Sequence, residues 1–417
     1  MTAIVAVLNK HCAAIAADSA ATMGNTHKVV NSANKIFTLS KFQPVAVMTY
    51  NNASYMGIPW DIIIKEYRKK LNDKSYDTLK EYVDDFIGFI HEKKFCGSET
   101  KQSNSLVNTL KSFYDSCVGQ IASANGISPS DVTNDQISTK LNECLVANKQ
   151  GKKCPEFENY NCEDFKTKAL NLINEFANNN HYDCADLLAE SFFYYLSVPL
   201  MTQNYTGLVF VGYGEEELYP SLYPIIISQV FDNRIRYYYM DKDITKIGDE
   251  RDECLAAICP FAQTDVTQTI IRGINPSFLE IIYKVIDKSI ISLKGAISKV
   301  VSNLPTGEAI SNAINGIDMK PIINHATSEI KKEMNDSYTQ KLIDTIIVLD
   351  KEDMANMAES FISLTSLVRR MSPGEETVGG PVDVAVISKG DGFVWINRKH
   401  YFKPELNSTF FGKYFKV

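Results

Sequence analysis

The sequence predicts an α+β chain, because strand-patterned runs open it, recur past its midpoint and close it, while helix-patterned stretches fill the space between. Two observations carry that reading. Ala3-Ile-Val-Ala-Val-Leu8 and Ala13-Ala-Ile-Ala-Ala17 are short and rich in small and β-branched residues, and polar Asn9-Lys10-His11 joins them as a hairpin turn. Between the strand groups apolar residues recur at helical spacing, as in Tyr82, Phe86 and Phe89 or Ile90, and again in Leu106, Leu110 and Phe113. A chain of 417 residues exceeds one ordinary compact core, so two or three structural units are expected.

The elements follow in order. After the Gly24-Asn25 turn, Lys35-Ile-Phe-Thr-Leu39 and Val45-Ala-Val-Met48 read as two further strands separated by Phe42-Gln43-Pro44. An amphipathic stretch begins at Pro59-Trp60-Asp61, and another runs from Ala185 to Leu196. Gly207-Leu-Val-Phe-Val-Gly-Tyr-Gly214, Pro220-Ser-Leu-Tyr223 and Arg234-Ile-Arg-Tyr-Tyr-Tyr239 form the central strand group. Ile282, Ile286, Ile290 and Leu293 make an apolar helical stripe that Asn303-Leu-Pro-Thr-Gly307 ends. Met354, Met357, Phe361 and Leu364 repeat the helical spacing up to Arg369-Arg370. Gly379-Gly380-Pro381 then leads into a hairpin of Val382 to Ile387 and Phe393 to Ile396. The division expected is a core in three parts, 1–72, 184–274 and 351–417, interrupted by helical insertions at 73–183 and 275–350.

Thr2 is the first residue with a chemical reading. Removal of Met1 would place a hydroxyl nucleophile and a free α-amine on one residue. A threonine hydroxyl is weak until a base takes its proton. An α-amine titrates near pH ~8, roughly two units below a lysine, and can serve as that base. A lysine cation nearby would lower the amine's proton affinity, and a carboxylate would hold the lysine charged and aimed. Hairpin arithmetic supplies the carboxylate: a turn centred near residue 10 sets Thr2 opposite Asp18 to within about a residue. Lys35 then enters the sheet from a third strand. Taken singly, each residue has an ordinary reading, since an Asp at a strand end caps turns and a strand lysine is usually solvated.

Together they form a pattern. Thr2-Ala-Ile-Val-Ala-Val, Ile15-Ala-Ala-Asp18-Ser19-Ala-Ala-Thr22, Asn34-Lys35-Ile36-Phe37 and Val45-Ala-Val-Met48 resemble the opening of proteasome β-type subunits and of the related bacterial ATP-dependent protease, within the N-terminal nucleophile (Ntn) hydrolase superfamily. The resemblance implies a four-layer αββα sandwich in a bacterial proteasome-like protein carrying two helical insertions. It implies Thr2 as nucleophile, with Asp18 and Lys35 as its partners. The central strand group and the hairpin after Gly379-Gly380 resemble later parts of the same pattern.

Some positions depart from it. The family's supporting Asp falls on Glu375 and its Ser on Val378, with Thr377 as a substitute hydroxyl. The glycine that offers an oxyanion-hole N–H falls at about Tyr50, with Asn51 next, and a backbone N–H survives such a change. A Gly-Ser-Gly segment is replaced by Pro260-Phe261-Ala262-Gln263. Thr22, His27, Asn31 and Thr49, with Tyr50, are the expected walls of a substrate pocket. The expected activity is a threonine-type peptidase or amidohydrolase working through an acyl-enzyme. A transpeptidase or ligase with an amine acceptor, and a non-catalytic scaffold, stand as alternatives. The partners implied are a peptide or amide substrate and either copies of the chain or a separate regulatory protein. Helical insertions in both helix pairs also imply an assembly other than the usual stacked double ring.

Composition narrows the rest. Forty-three basic residues against fifty acidic give a charge of -7 with no basic stripe, so nucleic acid is not an expected partner. Arg398-Lys399-His400 follows a strand and reads as a solvated end. No run reaches eighteen apolar residues, and the opening lacks a basic segment ahead of its apolar run, so neither a membrane span nor a secretion signal is expected and a cytoplasmic setting is. Nine cysteines without a Cys-x-x-Cys read as reduced thiols, Cys12 among them as a small buried residue. Glu215-Glu216-Glu217 reads as a solvated turn. Scattered histidines give no metal spacing and no phosphate loop is present, so no cofactor is expected.

Overall fold

A computed structural model describes residues 2–23, 28–250, 253–304, 307–372, 378–400 and 402–409. The opening hairpin forms from β1 (Ala3–Asn9) and β2 (Ala13–Ala17). Asn9 Oδ1 closes its turn by accepting the N–H groups of His11 and Cys12 at 2.9 and 3.1 Å. A short pair, β3 (Ala21–Met23) and β4 (Lys28–Val30), precedes β5 (Ile36–Thr38) and β6 (Val45–Asn51). A second short pair, β7 (Ser54–Tyr55) and β8 (Ile58–Pro59), leads into α1 (Trp60–Leu71) and α2 (Leu79–Ile90). Thr78 and Glu81 start α2 as a reciprocal capping box.

Five helices follow: α3 (Lys93–Cys96), α4 (Glu99–Asn125), α5 (Asn134–Lys149), α6 (Cys162–Asn179) and α7 (Ala185–Ser197). The central strands are β9 (Thr206–Gly212), β10 (Ser221–Phe231), β11 (Arg234–Tyr239), β12 (Thr245–Lys246) and β13 (Ala256–Ala262). Next come α8 (Asp265–Arg272), α9 (Pro276–Ser302), α10 (Gly307–Gly316), α11 (Lys320–Met334), α12 (Gln340–Val348) and α13 (Lys351–Met371). The hairpin of β14 (Asp383–Ser388) and β15 (Gly392–Asn397) completes the described strands.

The strands form two larger antiparallel sheets, making the chain a mixed α+β protein. One runs β13-β1-β2-β14-β15, and the other runs β11-β10-β9-β6-β5 with β12 paired to β10. Apolar residues on both faces of a strand let it be covered on both sides. Along β1, Ile4, Ala6 and Leu8 join one apolar cluster, and Ala3, Val5 and Val7 join another. Along β6, Ala46, Met48 and Tyr50 share the cluster of Ile4, while Val45 and Val47 face α1 and α2. The inner cluster therefore holds residues from both sheets. α13 covers the first sheet's other face through Met354, Ala358, Phe361 and Ile362.

Two helices lie close to the boundaries expected from sequence. α2, expected in the first insertion, packs with α1 because Tyr82, Val83, Phe86 and Phe89 make a continuous apolar face against Phe210 and Ile225. α7, expected in the core, joins α4 to α6 through Phe192 and Phe193, which pack on Phe165 and Tyr160. Lys35 also enters differently from expectation. β5 pairs with β6, Ile36 opposite Met48, so Lys35 comes from the second sheet and not the one that carries Thr2 and Asp18.

Buried polar groups tie the helices to the sheets. Arg236 of β11 is enclosed, and its guanidinium donates to the carbonyls of Leu196, Val198 and Leu200 at 2.8, 2.8 and 2.7 Å, just where α7 ends. Such carbonyls have no partner within the helix and favour a cation. Glu217 does the converse, accepting the Leu79 N–H at the start of α2 at 2.9 Å and the Gly214 N–H at 2.6 Å. Lys389 holds the same turn by donating to the carbonyls of Gly214, Glu215 and Glu217. The three-glutamate turn is thus partly engaged, not wholly solvated. In contrast, α9 leaves Phe278, Ile281, Val285, Leu293, Ile297 and Val300 exposed.

Candidate functional site

The hairpin register delivers Asp18 to the chain start. Ile4 pairs with Ala17, so the next step along each strand sets Ala3 beside Asp18, whose N–H donates to the Ala3 carbonyl at 3.2 Å. Thr2 lies one residue beyond. The shift of one residue from the sequence arithmetic comes from the turn, which spans Asn9 to Cys12 and is centred between residues 10 and 11. The peptide joining Thr2 to Ala3 is fixed at both ends. Its N–H donates to Asp18 Oδ1 at 2.9 Å, and its carbonyl accepts the Gln263 N–H at 3.1 Å.

Asp18 Oδ1 also accepts the Lys35 ammonium at 2.6 Å, in an ion pair whose members are only 1% and 5% exposed. Lys35 donates a second time, to the Ala20 carbonyl at 2.6 Å. Asp18 Oδ2 accepts the N–H groups of Ala20 and Gly379 at 3.0 and 3.2 Å. The carboxylate thus carries four donors. Burial pushes the Lys35 ammonium below its usual range, and the neighbouring Asp18 charge opposes that shift. Thr2 itself is 6% exposed. The peptide after Thr2, just ahead of β1, and the Lys35 ammonium, from the lead into β5, therefore meet on the carboxylate of Asp18, just past β2.

The other expected residues divide. Thr49 is buried and donates its N–H to the Lys35 carbonyl at 2.8 Å, so Asn51, two residues on, presents its N–H toward the same strand edge. Asn51 ends β6 with φ of 70°, and its side-chain amide donates to the Tyr205 carbonyl at 2.8 Å. Tyr50 places its ring in the inner layer instead, stacked on Phe261 with centroids 6.0 Å apart. Gly207 makes room for it: a Cβ there would lie 2.0 Å from the Tyr50 ring. Asn31 is exposed, and its Cβ would lie 2.9 Å from a Cβ built on Gly380, whose φ is 75°. Thr22 belongs by its backbone to β3, opposite Val29. His27, Glu375 and Thr377 lie outside the described residues. Val378, at the family's Ser position, is fully enclosed against α13.

Sequence reading passed over a second charged pair. Asp383 begins β14 opposite Ala17, and Lys399 donates to it from both its backbone N–H, at 2.9 Å, and its ammonium. The Lys399 side chain is only 10% exposed and Asp383 only 3%, so within Arg398-Lys399-His400, read as a solvated end, Lys399 departs from that reading while Arg398 and His400 are exposed. The signal was an aspartate at the first position of a strand whose next four residues, Val384 to Ile387, are all apolar. Gln263 was noted only as a departure, yet its N–H binds Thr2, and its side chain accepts from Arg369 of α13. Arg369 also pairs with Asp265.

Elsewhere the chemistry is quieter. Burial pushes the Cys12 thiol up to about 12, leaving it protonated at neutral pH. Among the described residues no cluster of three or more His, Cys, Asp or Glu could hold a metal ion. No described helix is long and apolar enough to cross a membrane.

No protein-family model matches the chain, and no curated protein matches it. Among solved structures it is similar to an Anbu (Gly-1) mutant from Hyphomicrobium sp. strain MC1, at 7% identity over 100% of this chain and 98% of that one, with a TM-score of 0.24. A likeness of that size decides neither fold nor function.

Proposed function

We propose that the chain is a proteasome-like N-terminal threonine hydrolase that cleaves peptide or amide bonds through an acyl-enzyme on Thr2. The observation that carries this reading is the buried Lys35–Asp18 ion pair whose carboxylate also binds the peptide immediately after Thr2. An ion pair withdrawn from water is costly to keep, and removing either partner would leave an uncompensated charge. Its carboxylate's bond to the Ala3 N–H supports reading the Lys35 cation as the partner of an N-terminal amine on Thr2.

With Met1 removed, the neutral α-amine of Thr2 would take the hydroxyl proton as Oγ1 attacks the substrate carbonyl. Lys35, held charged by Asp18, would lower the amine's proton affinity and keep it competent. The tetrahedral oxyanion would be met at the strand edge by the Asn51 N–H. Collapse would pass the proton to the leaving amine, and water activated by the same α-amine would release the acyl group. An incoming amine in place of water would make the reaction a transpeptidation.

The two sheets with helices on their outer faces are read as the αββα sandwich that this chemistry uses. The helices after α3 and those from α9 to α12 are read as additions to it, in a bacterial protein that acts in the cytoplasm. A second reading, a non-catalytic scaffold, is favoured by Val378, which offers no hydroxyl where the family pattern has one. Intact-mass measurement of the native protein separates the two. Loss of Met1 is expected for the hydrolase, and a chain that keeps Met1 has a blocked amine and sinks it.

A further inference from the structure

We infer that Arg369 is a positioning residue for Thr2: from α13 it clamps the side chain of Gln263, whose backbone N–H holds the Thr2 carbonyl. The inference rests on the hydrolase reading for its purpose, while the clamp itself stands on contacts.

Thr2 is held from two sides. On the β2 side the peptide after it donates its Ala3 N–H to Asp18 at 2.9 Å, and on the β13 side its carbonyl accepts the Gln263 N–H at 3.1 Å. The second hold falls where a strand ends. Ala3 pairs with Ala262, the last residue of β13, and Ala262 stands at φ of 67°, a left-handed conformation that a residue carrying a Cβ keeps only where its surroundings enforce it. Gln263 lies one residue further, so strand pairing alone does not fix it. Arg369 does. Its Nε donates to Gln263 Oε1 and its Nη2 to the Asp265 carboxylate, so one planar guanidinium spans the turn from Gln263 to the first residue of α8. The base of the clamp is firm. Arg369 lies one turn past buried Thr365 on α13, and Phe361 and Ile362, a turn earlier, pack in the cluster that holds Ala3 and Val5. α13 thus ties Gln263 to the sheet that carries Thr2. A nucleophile displaced by about 1 Å can lose roughly 10²-fold in rate, which gives such a tie its consequence.

The test has two readouts on the native protein. Amide hydrogen exchange read by NMR follows the hold itself: in Arg369→Met the Gln263 N–H is expected to exchange about tenfold faster, while the Ala3 N–H, held by Asp18, keeps its protection. Acylation of Thr2 by a β-lactone, measured well below the unfolding temperature, follows the purpose. Its second-order rate is expected to fall about tenfold in Arg369→Met and in Gln263→Ala, which keeps the backbone N–H and removes the side chain that Arg369 grips. The midpoint of its pH profile is expected to stay at the wild-type value, because Lys35 and Asp18 are intact. The double variant Arg369→Met/Gln263→Ala is expected to be no slower than either single variant. A Gln263 N–H that exchanges as in the wild type, acylation at the wild-type rate, a moved midpoint, or a double variant slowed by the product of the two singles overturns the inference. Should Arg369→Met fail to fold, Gln263→Ala decides by the same two readouts. A wild type that forms no adduct fails the hydrolase reading alone, and the exchange of the Gln263 N–H then still supports or refutes the clamp.

Discussion

Replacing Asp18 with Asn keeps the side chain's size and removes its charge, which isolates what the carboxylate supports. Four donors converge on it: Ala3 N–H and Lys35 Nζ on one oxygen, Ala20 N–H and Gly379 N–H on the other. If the amide keeps its oxygen toward Lys35, its NH2 group faces two N–H groups and satisfies neither. Unpaired buried donors cost about 1–3 kcal/mol each, and a buried cation stripped of its partner about 3–5 kcal/mol. The same local relaxation relieves both, so the sum is not the expectation. A loss of about 3–5 kcal/mol is. Lys35→Met is expected to cost clearly less, because Asp18 would still accept three backbone N–H groups. Urea unfolding of the three proteins, compared at equal m-value, measures both numbers. An Asp18→Asn protein within about 1 kcal/mol of the wild type, or a Lys35→Met protein less stable than Asp18→Asn, refutes the reasoning.

Three further outcomes are expected. Arg236→Met removes the guanidinium that binds three carbonyls at the end of α7 and should cost about 3 kcal/mol in urea unfolding, with early proteolysis between α7 and β9. Gly207→Ala drives a methyl into the Tyr50 ring and should destabilise by about 1–3 kcal/mol; Tyr50→Leu in that background should recover part of the loss, measured by thermal unfolding. Lys35 binds its proton less tightly folded than unfolded, so its contribution to stability should rise with pH from its depressed folded midpoint up to its ordinary value of 10.5. That rise should be missing from the difference curve of Lys35→Met, read from unfolding at stepped pH.

Much of this arrangement was legible before any coordinates. Short runs of small, β-branched and other apolar residues in Ala3–Leu8 and Val45–Met48 mark strands, and those strands do carry the inner and outer clusters. The polar turn at Asn9 fixed the register to one residue, enough to bring Asp18 to the chain start. What stayed hidden depends on contacts distant in sequence. Nothing local assigns β5 to the second sheet, since that follows from its pairing with β6. Helical periodicity locates α2 and α7 but is blind to which neighbour each face meets. Lys399 looks like any lysine after a strand until Asp383 is found across the hairpin. Tyr50 shows the same limit, because its inward ring depends on the absence of a side chain at Gly207, over one hundred and fifty residues away.

The central claim concerns one oxygen atom, Thr2 Oγ1, and a β-lactone that acylates N-terminal threonine nucleophiles tests it most directly. Mass mapping after exposure of the native protein should place the adduct on Thr2, with none formed on Thr2→Ala. Its rate should fall steeply in Lys35→Met, whose charge the amine needs. An adduct that persists on Thr2→Ala, or a wild-type protein that loses Met1 and forms none, contradicts the account.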